Sequence, residues 1–254
     1  MKHRRGLSIG VAVVVTLAVT AGLTYAAGTR AASSAVSDFF ARCAAATVAS
    51  PPGCPQSSPD TGTDFRWVLV GDPSSSLAFS LGASGTLRAT GHYLMLDSFG
   101  GTFPNGVRHR VQGGPFEALL KWEGGAMKVQ RVTTATAPHL TPPSAVSDAA
   151  LKSTVAEAFR NCVTAPPDGA PDCPQFDFAP SATNFKWTIN GDPLADSTVT
   201  YDGDRGVWQV MGNYSFHDSF DLASGHEEHD VNGTYFAYVV YDGSKLIPVY
   251  IRHI

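Results

Sequence analysis

Charged residues are scarce in this sequence. Lysine, arginine, aspartate and glutamate supply 16% of its 254 residues, whereas a typical soluble protein carries about 25%. The net charge is −4 at pH 7 and no basic field covers the chain, which excludes nucleic acid as the main partner because nucleic-acid binding needs a positive surface. A disordered chain combines many charges with few apolar residues. Here 43% of the residues are hydrophobic, so wholesale disorder is excluded.

The motifs of common hydrolases are missing. Residue types of a serine hydrolase occur once in each half of the chain, as Asp97, Ser98 and His109 and as Asp218, Ser219 and His229. No G-x-S-x-G motif surrounds either serine, and an adjacent Asp and Ser on a strand point to opposite faces. We therefore expect a strand end or bulge at each Asp-Ser-Phe, and not a catalytic triad.

Metal-binding motifs are missing too. The polar segment His226–Asp230 spaces its histidines three residues apart, whereas H-E-x-x-H spaces them four apart. We expect a solvated loop and strand start there. The alternative is a Zn²⁺ or Cu²⁺ site formed by His217, His226 and His229. No other cofactor is predicted.

A long uncharged run is present at the N-terminus. No charged residue occurs from Gly6 through Thr29, and a helix of that length extends about 36 Å, enough for a hydrocarbon core of about 30 Å. The basic head Met1–Arg5 should stay in the cytoplasm. We expect residues 1–30 to be a retained membrane anchor, and a cleaved signal peptide with a site at Thr24–Ala26 is the alternative. Either one exports the rest of the chain.

The rest of the chain is a tandem repeat with a period near 120 residues. Matched segments keep their order and their separation drifts by only two residues, which makes chance a poor explanation. The matches are Cys43 with Cys162, Cys54–Gln56 with Cys173–Gln175, Phe65–Trp67 with Phe185–Trp187, Gly71–Pro73 with Gly191–Pro193, Gly91–Tyr93 with Gly212–Tyr214, Asp97–Phe99 with Asp218–Phe220, Val111–Gly113 with Val231–Gly233, Phe116 with Phe236, and Val129 with Val249. A period this long exceeds a solenoid unit, so each copy should be its own domain. We place the domains at 34–133 and 145–254, joined by an extended Pro/Thr-rich linker at 134–144.

Four cysteines, two in each repeat, indicate an oxidising compartment outside the cytoplasm. Cys43 and Cys54 are 11 residues apart, and so are Cys162 and Cys173. An even number of cysteines outside the cytoplasm indicates disulfides. The shared spacing favours the pairs Cys43–Cys54 and Cys162–Cys173 over the other pairings, and it does not fit a zinc site.

Each repeat has a helical segment followed by strand-like segments. Apolar residues after Ser147 recur at spacings of three and four, which predicts a helix capped by that serine. Ser34 or Ser37 should cap the helix of the first repeat. The period then changes to two at Phe65–Leu69 and Phe185–Ile189, whose aromatic residues should face the helix. The predicted fold class is α+β, with one helix on an antiparallel sheet of about five strands in each repeat.

This combination resembles a known kind of envelope protein. One helix on a curved antiparallel sheet, exported behind a single membrane span, is similar to the cystatin-like or NTF2-like domains of actinobacterial envelope proteins. The repeated elements Cys…Cys-Pro, Phe-x-Trp and Gly-Asp-Pro resemble exported actinobacterial proteins with such repeats, over about residues 34–254. These motifs are structural, so the resemblance implies no active-site residue. It implies a concave sheet face used for binding and occasionally for catalysis.

Charge is distributed unequally between the repeats. Residues 34–137 carry a net charge of +1, and residues 145–254 carry −9. The basic and acidic residues that contrast most are Arg108 and Arg110 in the first repeat and Glu227, Glu228 and Asp230 in the second. We interpret the contrast either as drift on exposed strand ends or as electrostatic docking, between the repeats or between molecules that self-associate. An envelope protein or polymer that supplies cations is the other partner expected for the acidic residues.

These observations predict a membrane-tethered extracytoplasmic binding protein with two disulfide-linked α+β modules. Export, duplication, disulfides and the absence of a convincing catalytic set support this prediction. An envelope hydrolase that uses the concave face of one repeat is the first alternative, and a metal-binding module in the second repeat is the next. Convergent titratable groups in a pocket would favour the enzyme, whereas apolar and neutral walls would favour binding.

Overall fold

The computed structural model describes residues 26–59, 62–102, 105–166, 170, 172–175 and 181–254. Within them the chain forms two repeats, each with one helix and one five-stranded antiparallel sheet, which confirms the α+β prediction. Most of the expected membrane anchor, residues 1–25, lies outside the described residues. Among the helices that the structure describes, none is both long and apolar enough to cross a membrane.

The first repeat begins with helix α1, whose described part covers residues 26–44. Its strands are β1 (Thr63–Leu69), β2 (Ala78–Leu81), β3 (Leu87–Thr102), β4 (Asn105–Glu123) and β5 (Ala126–Thr134). The strand order is β1-β3-β4-β5, and β2 pairs with the start of β3 on the same side as β1. Strand β3 therefore has two short partners on one side and the long strand β4 on the other.

The second repeat has the same elements in the same order. They are helix α2 (Asp148–Cys162) and strands β6 (Thr183–Ile189), β7 (Thr198–Asp202), β8 (Val207–Leu222), β9 (Gly225–Tyr241) and β10 (Leu246–His253). The strand order is β10-β9-β8-β6, with β7 paired to the start of β8. The duplication seen in the sequence is thus a duplication of the complete sheet topology.

The two helices differ at the serines expected to cap them. Ser147 is the N-cap of α2, and its hydroxyl accepts a hydrogen bond from the backbone N–H of Ala150 at 3.2 Å, as predicted. The expectation that Ser34 or Ser37 caps the first helix is wrong, because residues 26–44 are continuously helical and both serines lie inside α1. The Ser37 hydroxyl instead donates to Asp72 at 2.9 Å, which joins α1 to the Gly-Asp-Pro turn.

One face of each sheet packs on the helix of its own repeat. The ring of Phe40 in α1 lies 4.8 Å from that of Phe116 in β4, and the ring of Phe159 in α2 lies 4.8 Å from that of Tyr235 in β9. All four rings are buried, so both cores are built around an equivalent aromatic pair. The buried face of α2 repeats at helical spacing and consists of Leu151, Val155, Phe159 and Cys162.

Strand register corrects the sequence alignment of the repeats. Gly91 is opposite Phe116 and Gly212 is opposite Tyr235, so Phe116 corresponds to Tyr235 and not to Phe236. Equivalent residues along β4 and β9 are therefore 119 apart, one less than the sequence alignment assumes. The same correction applies to Val111–Gly113 and, along β5 and β10, to Val129. Arg108, His109 and Arg110 thus correspond to Glu227, Glu228 and His229.

Both central hairpins are longer than the sequence pattern predicts. Strand β3 stays paired with β4 through Asp97–Phe99, and β8 with β9 through Asp218–Phe220, so neither segment ends a strand. The register of β1 with β3 and of β6 with β8 does shift opposite Phe99 and Phe220, which agrees with the bulge alternative. The segment His226–Asp230 lies at the start of strand β9 and is mostly exposed, so the predicted solvated strand start is confirmed and the predicted loop is wrong. The predicted strand ends are wrong for a physical reason. Asp97 and Asp218 are fully buried at positions that continue the alternation of each strand, so a polar residue there does not end the strand.

The two repeats pack together through sheet faces that point away from the helices. Apolar residues from both repeats form one cluster, which we call the inter-repeat seam. Its members are Val70, Leu94, Leu96, Val111, Val207, Phe236, Tyr238, Val240, Ile247, Val249 and Tyr250. Each sheet is therefore covered by its helix on one face and, over part of the other face, by the neighbouring repeat.

The segment between the repeats is extended and lies on the second repeat. The backbone N–H of Leu140 donates to the carbonyl of Gly203 at 2.8 Å, and His139 Nδ1 lies 2.8 Å from Asp204 Oδ1. These contacts hold the predicted linker, 134–144, against the turn between β7 and β8. The linker is therefore part of the packed structure and not a free spacer.

Each repeat has a disulfide that joins the end of its helix to the following loop. The two bonds are Cys43–Cys54 and Cys162–Cys173, as predicted. A buried glutamine supports each loop: Gln56 Nε2 donates to the carbonyl of Cys43 at 2.8 Å, and Gln175 Nε2 donates to that of Cys162 at 2.6 Å. The repeated Cys-Pro-Gln sequence is thus a structural unit.

Candidate functional site

A cavity of about 440 Å³ lies between the two repeats, and we call it the inter-repeat cavity. One wall comes from β1, β3 and β4 of the first repeat, and the other from α2, the disulfide loop and β10 of the second. Aliphatic side chains such as Val68, Leu96 and Val249 form most of the surface. The polar residues are Asp97, Ser98, His109, Asn161, Asp172 and Tyr250. The volume lies in the range of small-molecule pockets, about 300–1,000 Å³.

Two polar residues at this cavity connect the repeats directly. His109 is on β4, and Asp172 is in the loop between the paired cysteines of the second repeat. The backbone N–H of His109 donates to Asp172 Oδ1 at 3.2 Å, and His109 Nδ1 lies 2.5 Å from Asp172 Oδ2. Arg252 of β10 donates from Nη2 to the carbonyl of His109 at 3.1 Å. We call the pair with its flanking arginine the His109–Asp172 clasp.

The disulfide loop positions Asp172. This residue directly precedes Cys173, which is bonded to Cys162 at the end of α2. The Asp172 carbonyl accepts a hydrogen bond from the backbone N–H of Ile251 in β10 at 2.9 Å. The loop is therefore attached both to the helix and to the edge strand, and it holds the carboxylate toward the first repeat.

The clasp favours the protonated form of His109. Its hydrogen bond with Asp172 raises the pKa of His109, burial lowers it, and the charges of Asp172 and Asp97 raise it further. The net effect is a raised pKa, so His109 is cationic over a wider pH range than a free histidine.

We expect stability to depend on pH through this clasp. The pKa of His109 is higher in the folded protein than in the unfolded chain. The contribution is therefore fully present below the unfolded value, about 6.5, and is lost as the pH rises through the folded value. In urea unfolding, Asp172→Asn should cost more stability at about pH 6 than at about pH 9.

A His109→Gln background provides the control for this prediction. Without the imidazole, the effect of Asp172→Asn should no longer vary with pH, because the coupled partner is gone. A cost of Asp172→Asn that stays constant across the pH range in the wild-type background would contradict the role given to His109.

A second cavity, of about 470 Å³, lies where the linker meets both repeats. Leu140, His92 and Arg205 are among its lining residues. Burial lowers the pKa of His92. Arg205 is held by Asp202 at 2.6 Å and by the hydroxyl of Tyr238 at 3.0 Å. Because its guanidinium is already bound by protein groups, we take the inter-repeat cavity as the candidate ligand site.

The three histidines of the alternative metal site do not converge. His217 and His226 lie on the outward face of the β8–β9 hairpin, where His217 Nδ1 is 3.0 Å from Asp230 and His226 Nδ1 is 2.8 Å from Asp221. His229 is opposite buried Asp218 on the other face, because side chains alternate along a strand. Among the residues that the structure describes, no group of three or more His, Cys, Asp or Glu side chains is arranged to hold a metal ion.

Strand alternation also places the acidic residues of the predicted docking surface on two different faces of the β8–β9 hairpin. Glu228 Oε1 lies 3.4 Å from His226 Nε2, and Asp230 contacts His217, all on the outward face. Glu227 is opposite Phe220 and thus belongs to the other face. In the first repeat the guanidinium of Arg110 lies 5.8 Å from the ring centre of Phe99, and Arg108 is opposite Phe99 in the strand register. Docking between Arg108/Arg110 and these acidic residues stays a prediction.

Ser98 and His109 lie opposite one another at the cavity, but Asp97 is not the carboxylate beside this histidine. Ser98 and His109 are partners in the β3–β4 register, whereas Asp97 is fully buried and is opposite Arg110. The histidine contacts Asp172 instead. The second repeat has Glu228 opposite Ser219 at the equivalent position. Alternation along β3 turns the side chains of Asp97 and Ser98 to opposite faces of the sheet, although both residues border the cavity.

Sequence reasoning missed Asp172, Arg252 and Tyr250 as residues of the site. One signal was available for Asp172. The first repeat has Gly53 immediately before its second cysteine, whereas the second repeat has a carboxylate there. A position that differs between two copies of a repeated loop is not required by the structure that the copies share, so its side chain can serve another function.

Comparison with known proteins gives little further information. No protein-family model and no curated protein matches this chain. A solved structure described as "Ntf2 like protein involved in plasmid conjugation" is similar over 76% of this chain and 77% of its own, with 7% sequence identity and a TM-score of 0.25. At that TM-score the similarity carries no argument about the fold or the function of this chain.

Proposed function

We propose that this protein is a membrane-tethered, extracytoplasmic binding protein of a bacterial cell envelope, and that it holds a small, mostly apolar ligand in the inter-repeat cavity. The observation that carries the proposal is the cavity itself, which both repeats build with aliphatic side chains along most of the wall. Pockets of this volume, with few polar groups, are the usual form of small-molecule sites.

The extracytoplasmic and tethered parts of the proposal have separate support. Two disulfides, one per repeat, are typical of proteins in oxidising compartments. The uncharged run Gly6–Thr29 behind a basic head has the length and charge pattern of a membrane anchor. A cystatin-like or NTF2-like ancestry of the repeats is part of the same proposal.

The hydrogen bonds that His109 and Asp172 already make with each other favour binding over catalysis. His109 and Asp172 bind each other across the repeats, and Asp172 Oδ1 also accepts the backbone N–H of His109. Groups committed to holding two domains together are poorly placed to exchange protons with a substrate. The hydrolase alternative would use Ser98 with His109, and it predicts turnover of an ester bound in the cavity.

The test measures binding of the apolar fluorescent probe N-phenyl-1-naphthylamine by the full chain. Val68→Trp should weaken binding about tenfold, because a bulky ring on the cavity wall costs a ligand about 1–3 kcal/mol of packing. Val107→Trp is the matched control, since Val107 lies on a strand outside the cavity and is 56% exposed against 57% for Val68.

The outcomes separate the parts of the proposal. Equal binding by both variants, or no binding by the wild type, would remove the cavity as the ligand site. Hydrolysis of an ester probe that is lost in Ser98→Ala would favour the enzyme instead. The tether predicts recovery in the membrane fraction of the producing cells and release when residues 1–30 are deleted. Recovery of the full chain in the cytosolic fraction would contradict it.

A further inference from the structure

The polar groups of the inter-repeat cavity are chemically suited to a ligand that accepts hydrogen bonds. His109, Ser98 and Asn161 all line it. The clasp uses Nδ1 of His109, which leaves Nε2 as the second ring nitrogen, and 41% of the side chain remains exposed. Ser98 lies directly opposite His109 on the neighbouring strand. An imidazolium, a hydroxyl and an amide can each donate to a ligand oxygen.

Positive charge surrounds the same part of the cavity. The guanidinium of Arg252 lies 4.2 Å from the ring centre of Tyr250, which lines the cavity. Burial raises the pKa of Tyr250, while Arg252, Arg205 and Arg110 all favour its anionic form. Arg252, which also donates to the carbonyl of His109, is the arginine closest to this part of the wall.

Two carboxylates, those of Asp172 and Asp97, also lie near His109, and the charge of each raises its pKa. Both oxygens of Asp172 are bound by His109, one by its backbone N–H and one by its ring. Asp97 is fully buried, is opposite Arg110 in the strand register and also borders the cavity. The charged and titratable groups facing His109 are therefore Asp172 from the disulfide loop, Asp97 from β3, and Tyr250 and Arg252 from β10, with Arg108 and Arg110 beside it on β4.

We infer that the ligand of the inter-repeat cavity is an amphiphile with one anionic head, of the long-chain carboxylate class, whose head binds at His109 and Ser98 and whose chain lies along the aliphatic residues of β10. This inference rests on the proposed function of the cavity. The apolar part of the wall beside the head is formed by Ile247, Val249 and Ile251. A long-chain carboxylate is the simplest molecule that has both features.

Competition against N-phenyl-1-naphthylamine tests the head group with three probes of equal chain length: dodecanoate, dodecanol and dodecylammonium. At about pH 6, dodecanoate should bind about tenfold more tightly than dodecanol, because its head gains a charge-assisted hydrogen bond. Dodecylammonium should bind most weakly. The preference for dodecanoate should decrease as the pH rises through the pKa of His109, since the imidazolium is then lost.

Two variants identify the residue responsible. His109→Gln should remove the preference for dodecanoate while retaining binding of dodecanol. His226→Gln is the control, because His226 is a histidine paired with an aspartate in the same way but lies outside the cavity. It should leave all three affinities unchanged.

The possible failures are distinguishable. If none of the three amphiphiles displaces a bound naphthylamine probe, the inferred ligand class is wrong, whereas failure of the probe itself to bind would contradict the proposed function. If all three bind with equal affinity at every pH, the cavity binds apolar chains but the anionic head is wrong. Tighter binding of dodecylammonium than of dodecanoate would reverse the inferred charge.

Discussion

Truncation of Trp67 or Trp187 to alanine is expected to lower the free energy of unfolding by about 3–5 kcal/mol. The two side chains are only 5% and 2% exposed and occupy equivalent places between helix and sheet. Each indole also donates a hydrogen bond to the chain after the helix, from Trp67 Nε1 to the carbonyl of Val48 at 3.0 Å and from Trp187 Nε1 to that of Pro166 at 3.4 Å. Removal leaves a cavity and an unpaired carbonyl. Urea unfolding followed by circular dichroism measures the loss.

Trp122 supplies the matched control in the same chain. It is also on a strand, but it is 55% exposed, so its truncation should change stability by no more than about 0.5 kcal/mol. Equal effects of the three substitutions would mean that Trp67 and Trp187 do not form the cores of the repeats.

Removal of a disulfide is the second large effect expected. Replacing both cysteines of either pair by alanine should cost about 3 kcal/mol, because a loop closed over a separation of 11 residues restrains the unfolded chain. Loss of Cys162–Cys173 should have a further consequence, since that bond holds the loop of Asp172 and therefore the clasp with His109. The variant lacking it should show a looser arrangement of the repeats in small-angle scattering.

The pair Cys43–Cys54 is the natural comparison for this effect. Its loop has Gly53 where the other has Asp172, so it makes no equivalent clasp. Its removal should lower stability without changing the scattering profile of the folded protein. Identical scattering for both disulfide variants would show that the clasp does not depend on the loop.

The features that could be predicted from the sequence are those that one local rule decides. Ser147 caps α2 because its hydroxyl can accept a backbone N–H. In the repeated Gly-Asp-Pro turns, Asp72 accepts the N–H of Ser74 and Asp192 that of Leu194, at 2.8 and 2.9 Å. Disulfide pairing followed from equal spacing in two copies. None of these features requires knowledge of where distant parts of the chain meet.

The candidate site could not be predicted because it arises from contacts between the repeats. His109 and Asp172 are 63 residues apart, and Arg252 is 143 residues from His109. No spacing rule relates such residues. The same limit explains the alignment error along β4, because Phe116 matches Phe236 by residue type, whereas packing against the helix selects Tyr235. Strand register, a property of the folded sheet, decides the correct equivalence.

The inter-repeat seam also bears on whether a further copy of the repeat could be added to this architecture. The two repeats meet through non-equivalent surfaces, a heterologous contact that could in principle be repeated by a third copy or by another molecule. The residues at the equivalent outer positions are mostly polar, with Leu119 at the position of Tyr238 as an exception. The second repeat contributes five apolar residues to the seam whose counterparts in the first repeat are polar: Phe236, Val240, Ile247, Val249 and Tyr250 correspond to Glu117, Lys121, Lys128, Gln130 and Arg131. The first repeat contributes four apolar residues whose counterparts in the second repeat are polar: Val70, Leu94, Leu96 and Val111 correspond to Asn190, Ser215, His217 and Asp230. Each repeat thus acts as the terminal cap of the other. Addition of a third copy through the same contact would require these outer positions to become apolar.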